Sequence, residues 1–243
     1  MLNFRIDISY DGTSYHGWQY QPNVTSIQEV LESKLKKISN CNELNIIGSG
    51  RTDSGVHAYN QVANFFLETS LSEMQIRNAL NKELPDDIYI KDCKIENNDF
   101  HARFSAKKRE YIYYISNTFL PMKRLYSWNL KWNVDFLVLQ ECSEIIVGEY
   151  DFSLFSKSSS ETKNKVCKIY KSKWKIKENT LEYNILGNRF LHHMVRFLVG
   201  TMIEVSRGRY SIQNFKKMLN NKKVDSYPLC APAKGLFLKN IYY

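Results

Sequence analysis

One short run holds the residues best suited to chemistry: IIGSGRTDSGVHAYNQVANFF, from Ile46 to Phe66. It sets Asp53 beside Thr52 and Arg51, with Gly48, Gly50 and Gly55 around them and His57 just beyond. Aspartate side chains are carboxylates at neutral pH. A carboxylate held out of water can act as a nucleophile or a base. The glycines let the backbone turn and come close to a ligand. The same residues also suit a plainer arrangement, in which Asp53 caps an Asx turn and Arg51 makes a surface salt bridge. The spacing is not that of a GxxxxGK[ST] loop and no helix start follows it, so a phosphate cradle is not indicated.

Other candidates lie downstream. The stretch DFHARFSAKKREYIYYI, from Asp99 to Ile115, interleaves His101, Arg103, Lys107, Lys108 and Arg109 with Phe100, Phe104, Tyr111, Tyr113 and Tyr114. Cations take phosphates and aromatic rings stack on unpaired bases. In a strand, Tyr111 and Tyr113 share one face and Ile112 and Tyr114 the other, and one of those faces could equally be core. Arg196 sits in the apolar run FLHHMVRFLVG, where a charge is costly unless paired. A partner acid such as Asp53 satisfies it, and so does snorkelling at a helix end. His192 and His193 are adjacent, so on a helix they point about 100° apart. His16, His57 and His101 fall on separate segments, and no metal site is expected.

These residues need elements to carry them. Phe4, Ile6, Ile8 and Tyr10 alternate and stop at Asp11-Gly12, which predicts a strand and a turn. Ile27, Val30, Leu31, Leu35 and Ile38 recur at helical spacing behind a Ser26/Glu29 capping pattern. ELNIIG and QVANFFLE read as strands on either side of the aspartate loop. SLSEMQIRNALNKELP reads as a second helix, boxed by Ser70 and Glu73 and stopped by Pro85, and DIYIKDCKIE as a strand. That order is βαββαβ, the ferredoxin-like arrangement. KREYIYYISN, VDFLVLQECSEIIVG, the hairpin CKIYKSKWKIK/TLEYNILG, RFLHHMVRFLVGTMIEVSRG and GLFLKNIYY repeat the order without evident sequence identity. SIQNFKKMLNN adds a short helix. The expected fold is α+β, with two ferredoxin-like halves, antiparallel sheets and a cleft between the halves. The boundaries expected are 1–104, carrying Asp53, and 105–243, carrying Tyr111 and Arg196. The polar, Ser- and Lys-rich residues 156–165 read as a surface loop or an RNA-touching one.

The whole chain sets limits. Its 243 residues suffice for one large domain or two small ones. Lys and Arg number 34 against 25 Asp and Glu, a formal charge of +9, which suits a polyanionic partner or solubility alone. The 5 cysteines are scattered without a CxxC, so neither a zinc ribbon nor a disulfide framework is suggested. Free thiols fit a reducing cytoplasm, the expected location. No signal sequence and no membrane span is read.

Taken together, GSGRTDSGVHAYNQVANF resembles the G-A-G-R-T-D-A-G-V-H-A…G-Q-V signature of the TruA family of tRNA pseudouridine synthases. YDGTSYHGWQYQ, FHARFSAKKREYIYYI, FLHHMVRFLVGTMIEVSRG and APAKGLFL fall in family order, so the resemblance spans nearly the whole chain. It implies the fold already read from element order. It also implies that Asp53 is catalytic and that Arg51 assists base flipping. Tyr111 would stack on the target base, Arg196 pair with the aspartate, and Leu236 lie beside the base. Phe100, His101, Ala102, Arg103 and Phe104 would contact tRNA. Ser49 and Ser54 stand where alanine is usual, and Cys167 where many members have arginine.

The reaction implied breaks C1′–N1 of uridine, turns the base and joins C1′ to C5. Nothing is oxidised and no group is carried away, so neither cofactor nor metal is expected. The implied target is the anticodon stem-loop of tRNA, at positions 38, 39 and 40, and the implied assembly a homodimer. Two rivals use the same residues. A non-catalytic RNA-binding module would need only the basic, aromatic surface. A glycosidase-like hydrolase would need two carboxylates, and the motif offers one.

Overall fold

The computed structural model describes residues 1–243 except 158–163, 223 and 225. The chain divides into two compact units, Met1–Lys107 with Phe237–Tyr243, and Lys108–Leu236. The division falls after Lys107, and the last strand groups with the first unit from Phe237 onward.

In the first unit β1 (Leu2–Tyr10), α1 (Ile27–Ser39), β2 (Ile47–Gly48), β3 (His57–Leu67), α2 (Glu73–Glu83) and β4 (Ile88–Glu96) follow the βαββαβ order. β1 lies between β4 and β3, antiparallel to both, and β2 is antiparallel to β3. Alternation decides the faces. Phe4, Ile6 and Ile8 are fully buried and form a core with Phe65, Ile27, Leu31, Ile76 and Leu80. The Ser26 box on α1 is present as expected, its hydroxyl accepting from the Glu29 N–H. On α2 the box is Ser72 with Gln75 rather than Ser70 with Glu73, because the helix starts later. β10 (Leu236–Tyr242) runs parallel to β3 at Phe237 and Leu238.

The second unit contains β5 (Lys108–Ser116), β6 (Trp128–Asn129), α3 (Phe136–Ile145), β7 (Gly148–Asp151), β8 (Val166–Lys177), β9 (Thr180–Gly187), α4 (Met194–Ser206) and α5 (Ile212–Leu219). Its sheet runs β5-β9-β8-β7, antiparallel throughout, with β6 parallel to β5. The β8–β9 hairpin turns at Glu178, which takes a left-handed φ of 53. Trp174 of β8 is fully buried, packs on Tyr183 and donates its indole N–H to Met202 Sδ of α4 at 3.4 Å. β6 and β7 were not read from the sequence: at two and four residues they are too short for alternation to show. Much of the 156–165 segment lies outside the described residues. No helix among the described residues is long and apolar enough to cross a membrane.

Candidate active site

The aspartate loop is the connection from β2 to β3, and its backbone is held from several sides. The Ser49 N–H donates to the Val62 carbonyl at 2.8 Å, which keeps the loop's start against β3. Gln61, fully buried, accepts from the Ser49 hydroxyl at 2.6 Å and donates to the Gly50 carbonyl at 2.8 Å. The Val56 N–H returns to the Asp53 carbonyl at 3.1 Å and closes a turn on the aspartate. Thr52, immediately before it, is buried. Its hydroxyl meets the Tyr10 hydroxyl at 2.8 Å, and its carbonyl accepts from the Trp18 N–H at 3.1 Å. Burial holds the Tyr10 phenol well above the ordinary tyrosine range, so it stays a neutral hydrogen-bonding group. Asp53 itself is half-buried and Arg51 exposed.

The segment YDGTSYHGWQYQ packs directly beneath this turn. A Cβ on Gly12 would lie 2.1 Å from the Val56 carbonyl oxygen, and one on Gly17 2.5 Å from that of Thr52. Gly17 also has a φ of +90, which side-chain-bearing residues rarely adopt. Both glycines are therefore required by close backbone approach to the loop. His57 is 1% exposed and its ring stacks on Phe237 at 4.5 Å. Its Nδ1 accepts from the Gly12 N–H at 3.1 Å and lies 3.0 Å from Asp11 Oδ1. His57 is thus a buried prop for the YDG turn.

In the second unit, Tyr111 on β5 is 9% exposed and meets the Phe190 ring edge-on at 5.2 Å. Tyr113, on the same strand face, is fully buried and donates its hydroxyl to the Pro232 carbonyl at 2.7 Å. Arg196 lies in the first turn of α4, half-buried. Its Nε donates to the Ala231 carbonyl at 2.8 Å, and the Ala231 N–H returns to the Arg196 carbonyl at 3.0 Å. The guanidinium is thereby tied to the segment that leads into Leu236, itself buried. The expected helical pair His192 and His193 is corrected: α4 begins at Met194, and His193 is its N-cap residue with a left-handed φ of 64.

The segment expected to contact tRNA is a tight loop in the first unit. Phe104 is 76% exposed, Arg103 is exposed, and His101 is half-buried. The His101 and Phe104 rings lie 4.3 Å apart, and the Arg103 guanidinium stands 5.6 Å from the Phe104 ring centre. Ala102 is fully buried and donates its N–H to Asn64 Oδ1 at 2.9 Å. The motif hid the anchoring roles of Tyr10, Thr52 and Gln61. For Tyr10 and Gln61 the signal was a polar group at an inward strand position, and Thr52, in the loop, gave none.

An α+β fold with a carboxylate on a braced turn, and cations set among exposed rings, is the equipment of an enzyme acting on a base-bearing polyanion. Comparison with known proteins makes the class specific. A family model described as tRNA pseudouridine synthase matches residues 7–105 and 143–243. Asp53, Arg51, Arg196, Leu236 and the 100–104 loop fall inside those segments, and Tyr111 falls between them. Over 245 aligned residues the chain is 38% identical to tRNA pseudouridine synthase A of Thermoanaerobacter sp. (strain X514), covering 100% of both chains. It is 37% identical to the Bacillus licheniformis protein of that name, covering 100% of this chain and 99% of that one. It is 36% identical to the Bacteroides thetaiotaomicron protein of that name, with 100% and 91% covered. The chain belongs to the TruA family of tRNA pseudouridine synthases, isomerases whose substrate is tRNA.

Proposed function

We propose that this enzyme converts uridine to pseudouridine in the anticodon stem-loop of tRNA, at positions 38, 39 and 40, with Asp53 as the catalytic residue. The observation that carries the reading is the bracing of Asp53. Its turn is fixed through Thr52, Gly17 and Gln61, so the carboxylate is presented by rigid backbone. A preorganised group needs no rearrangement at the moment of reaction. Asp53 acts as nucleophile or base while C1′–N1 breaks, the base turns and C1′–C5 forms, with the C5 hydrogen released as a proton. The uridine must leave its stack, at a cost of a few kcal/mol. Arg51 takes the vacated place, Tyr111 stacks on the base, and Arg196 and Leu236 complete the substrate contacts. His101, Arg103 and Phe104 hold the RNA outside the reacting base. The resemblance also supports a homodimer, which light scattering of the purified protein tests.

The decisive experiment is tritium release from tRNA carrying 5-tritiated uridine. Asp53→Asn should lower the rate at least about a thousandfold while tRNA binding persists. Normal release by that variant would refute the assignment. Neither tritium release nor pseudouridine in tRNA treated with the unaltered protein would favour the binding-module rival.

A further inference from the structure

Two asparagines are fully buried in the first unit's sheet, where unpartnered amides would be costly. Asn3 of β1 is 0% exposed and Asn64 of β3 is 1% exposed. Their hydrogen bonds form one chain. Asn64 Nδ2 donates to Asn3 Oδ1 at 2.9 Å. Asn3 Nδ2 donates to the carbonyls of Asn97 and Phe100, both at 2.9 Å. Asn64 Oδ1 accepts from the Ala102 N–H at 2.9 Å. All the remaining capacity of the pair used here goes to the backbone of one loop. Tyr243 adds a fourth tie, its hydroxyl donating to the Ala102 carbonyl at 2.9 Å. The Arg5 guanidinium lies 4.8 Å from the Tyr243 ring centre and 5.8 Å from that of Phe100, which holds the two rings against the loop.

Apolar side chains of similar size would pack these strand positions without any need for partners. What the asparagines supply is a fixed path for residues 97–102, and the next two residues are the exposed Arg103 and Phe104. We infer that Asn3, Asn64 and Tyr243 are positioning residues for substrate binding: they set the loop so that Phe104, His101 and Arg103 are pre-stacked to receive an unpaired base and its phosphate. A large exposed ring gains most from such restraint, because the ordering cost is met in the free protein rather than on binding. The inference rests on the proposed role of that loop in RNA contact and is independent of Asp53.

The test is the KM-against-kcat split for tRNA in the full-length enzyme. Tyr243→Phe, which removes one hydrogen bond, should raise KM about fivefold, and Asn3→Ala, which removes three, at least as much, each with a smaller fall in kcat. In a Phe104→Ala background the same substitutions should raise KM no further, because the loop no longer presents the ring they position. An unchanged KM in folded Tyr243→Phe, or the same fivefold rise in both backgrounds, would overturn the inference. If Asn3→Ala does not fold, Tyr243→Phe decides alone, since it removes one hydroxyl and leaves the ring. A loop that makes no RNA contact would show itself separately, as a Phe104→Ala variant with unaltered KM.

Discussion

At the scale of single residues, the turn that carries Asp53 is held by neutral, buried groups. Thr52 is the hinge of the arrangement: one atom faces Tyr10 and another faces the Trp18 amide. Tyr10→Phe keeps the ring and removes the hydroxyl, leaving a buried threonine hydroxyl with one partner fewer. Such a loss costs about 1–3 kcal/mol. Part of that cost should appear as looseness in the turn that presents Asp53. The expected result is a kcat lower by about fivefold with KM for tRNA nearly unchanged, measured by tritium release. A variant with unaltered kcat would show that the turn holds its shape without this contact. Asp53 and Arg51 stand out in the sequence as candidates because a charged pair among glycines is unusual. Tyr10 and Gln61 do not, because an inward tyrosine in an alternating strand looks like core and a glutamine at a strand start looks like surface.

At the scale of elements, the aspartate loop and the YDGTSYHGWQYQ segment form one device. Gly17 is its tightest point, with a φ of +90 and room for no Cβ before the Thr52 carbonyl. Gly17→Ala should destabilise the first unit by about 2–3 kcal/mol, combining left-handed strain with the displaced backbone. Thermal unfolding and activity should fall together, and a variant as stable and active as the parent would mean that the two segments are not coupled. The first unit's order could be read because β1, β3 and β4 are nine residues or longer and its helices carry capping serines. Two features escaped. The start of α4 was placed too early, because RFLHH is apolar and aromatic enough to continue a helical pattern. Only the left-handed backbone at His193 ends that reading. The parallel pairing of β10 with β3 joins residues far apart in the chain, and no local periodicity reports such a partner. The 100–104 loop shows the same limit, since its sequence announces cations and rings while its anchors Asn3 and Asn64 sit in distant strands.

At the scale of the whole molecule, two bulk properties lead to measurable behaviour. Burial pushes the Cys93 and Cys142 thiols up to about 12 and Cys167 up to about 11. An unfolded cysteine titrates near 8.5. Between those values the unfolded chain has lost protons that the folded chain keeps. Stability is then fully present below about pH 8.5 and declines as pH rises toward 11 and 12. Buried Tyr10 and Tyr183 act in the same direction. The melting temperature should therefore fall steadily from pH 8 to 11, and a flat profile would contradict the burial of these thiols. The second property is charge. The formal excess is +9, and β8 exposes Lys168, Lys171, Lys173, Lys175 and Lys177. Lysines that meet phosphates release condensed counterions, so affinity falls with salt in proportion to the number of contacts. If about three phosphates are neutralised, a fourfold rise in salt should weaken tRNA binding by roughly fortyfold. Filter binding or fluorescence anisotropy across 50 to 200 mM salt measures the slope. A flat response would mean that the positive charge is not used on tRNA and that recognition rests on rings and hydrogen bonds, whereas a steep one that persists in Asp53→Asn would separate capture of the RNA from the chemistry performed on it.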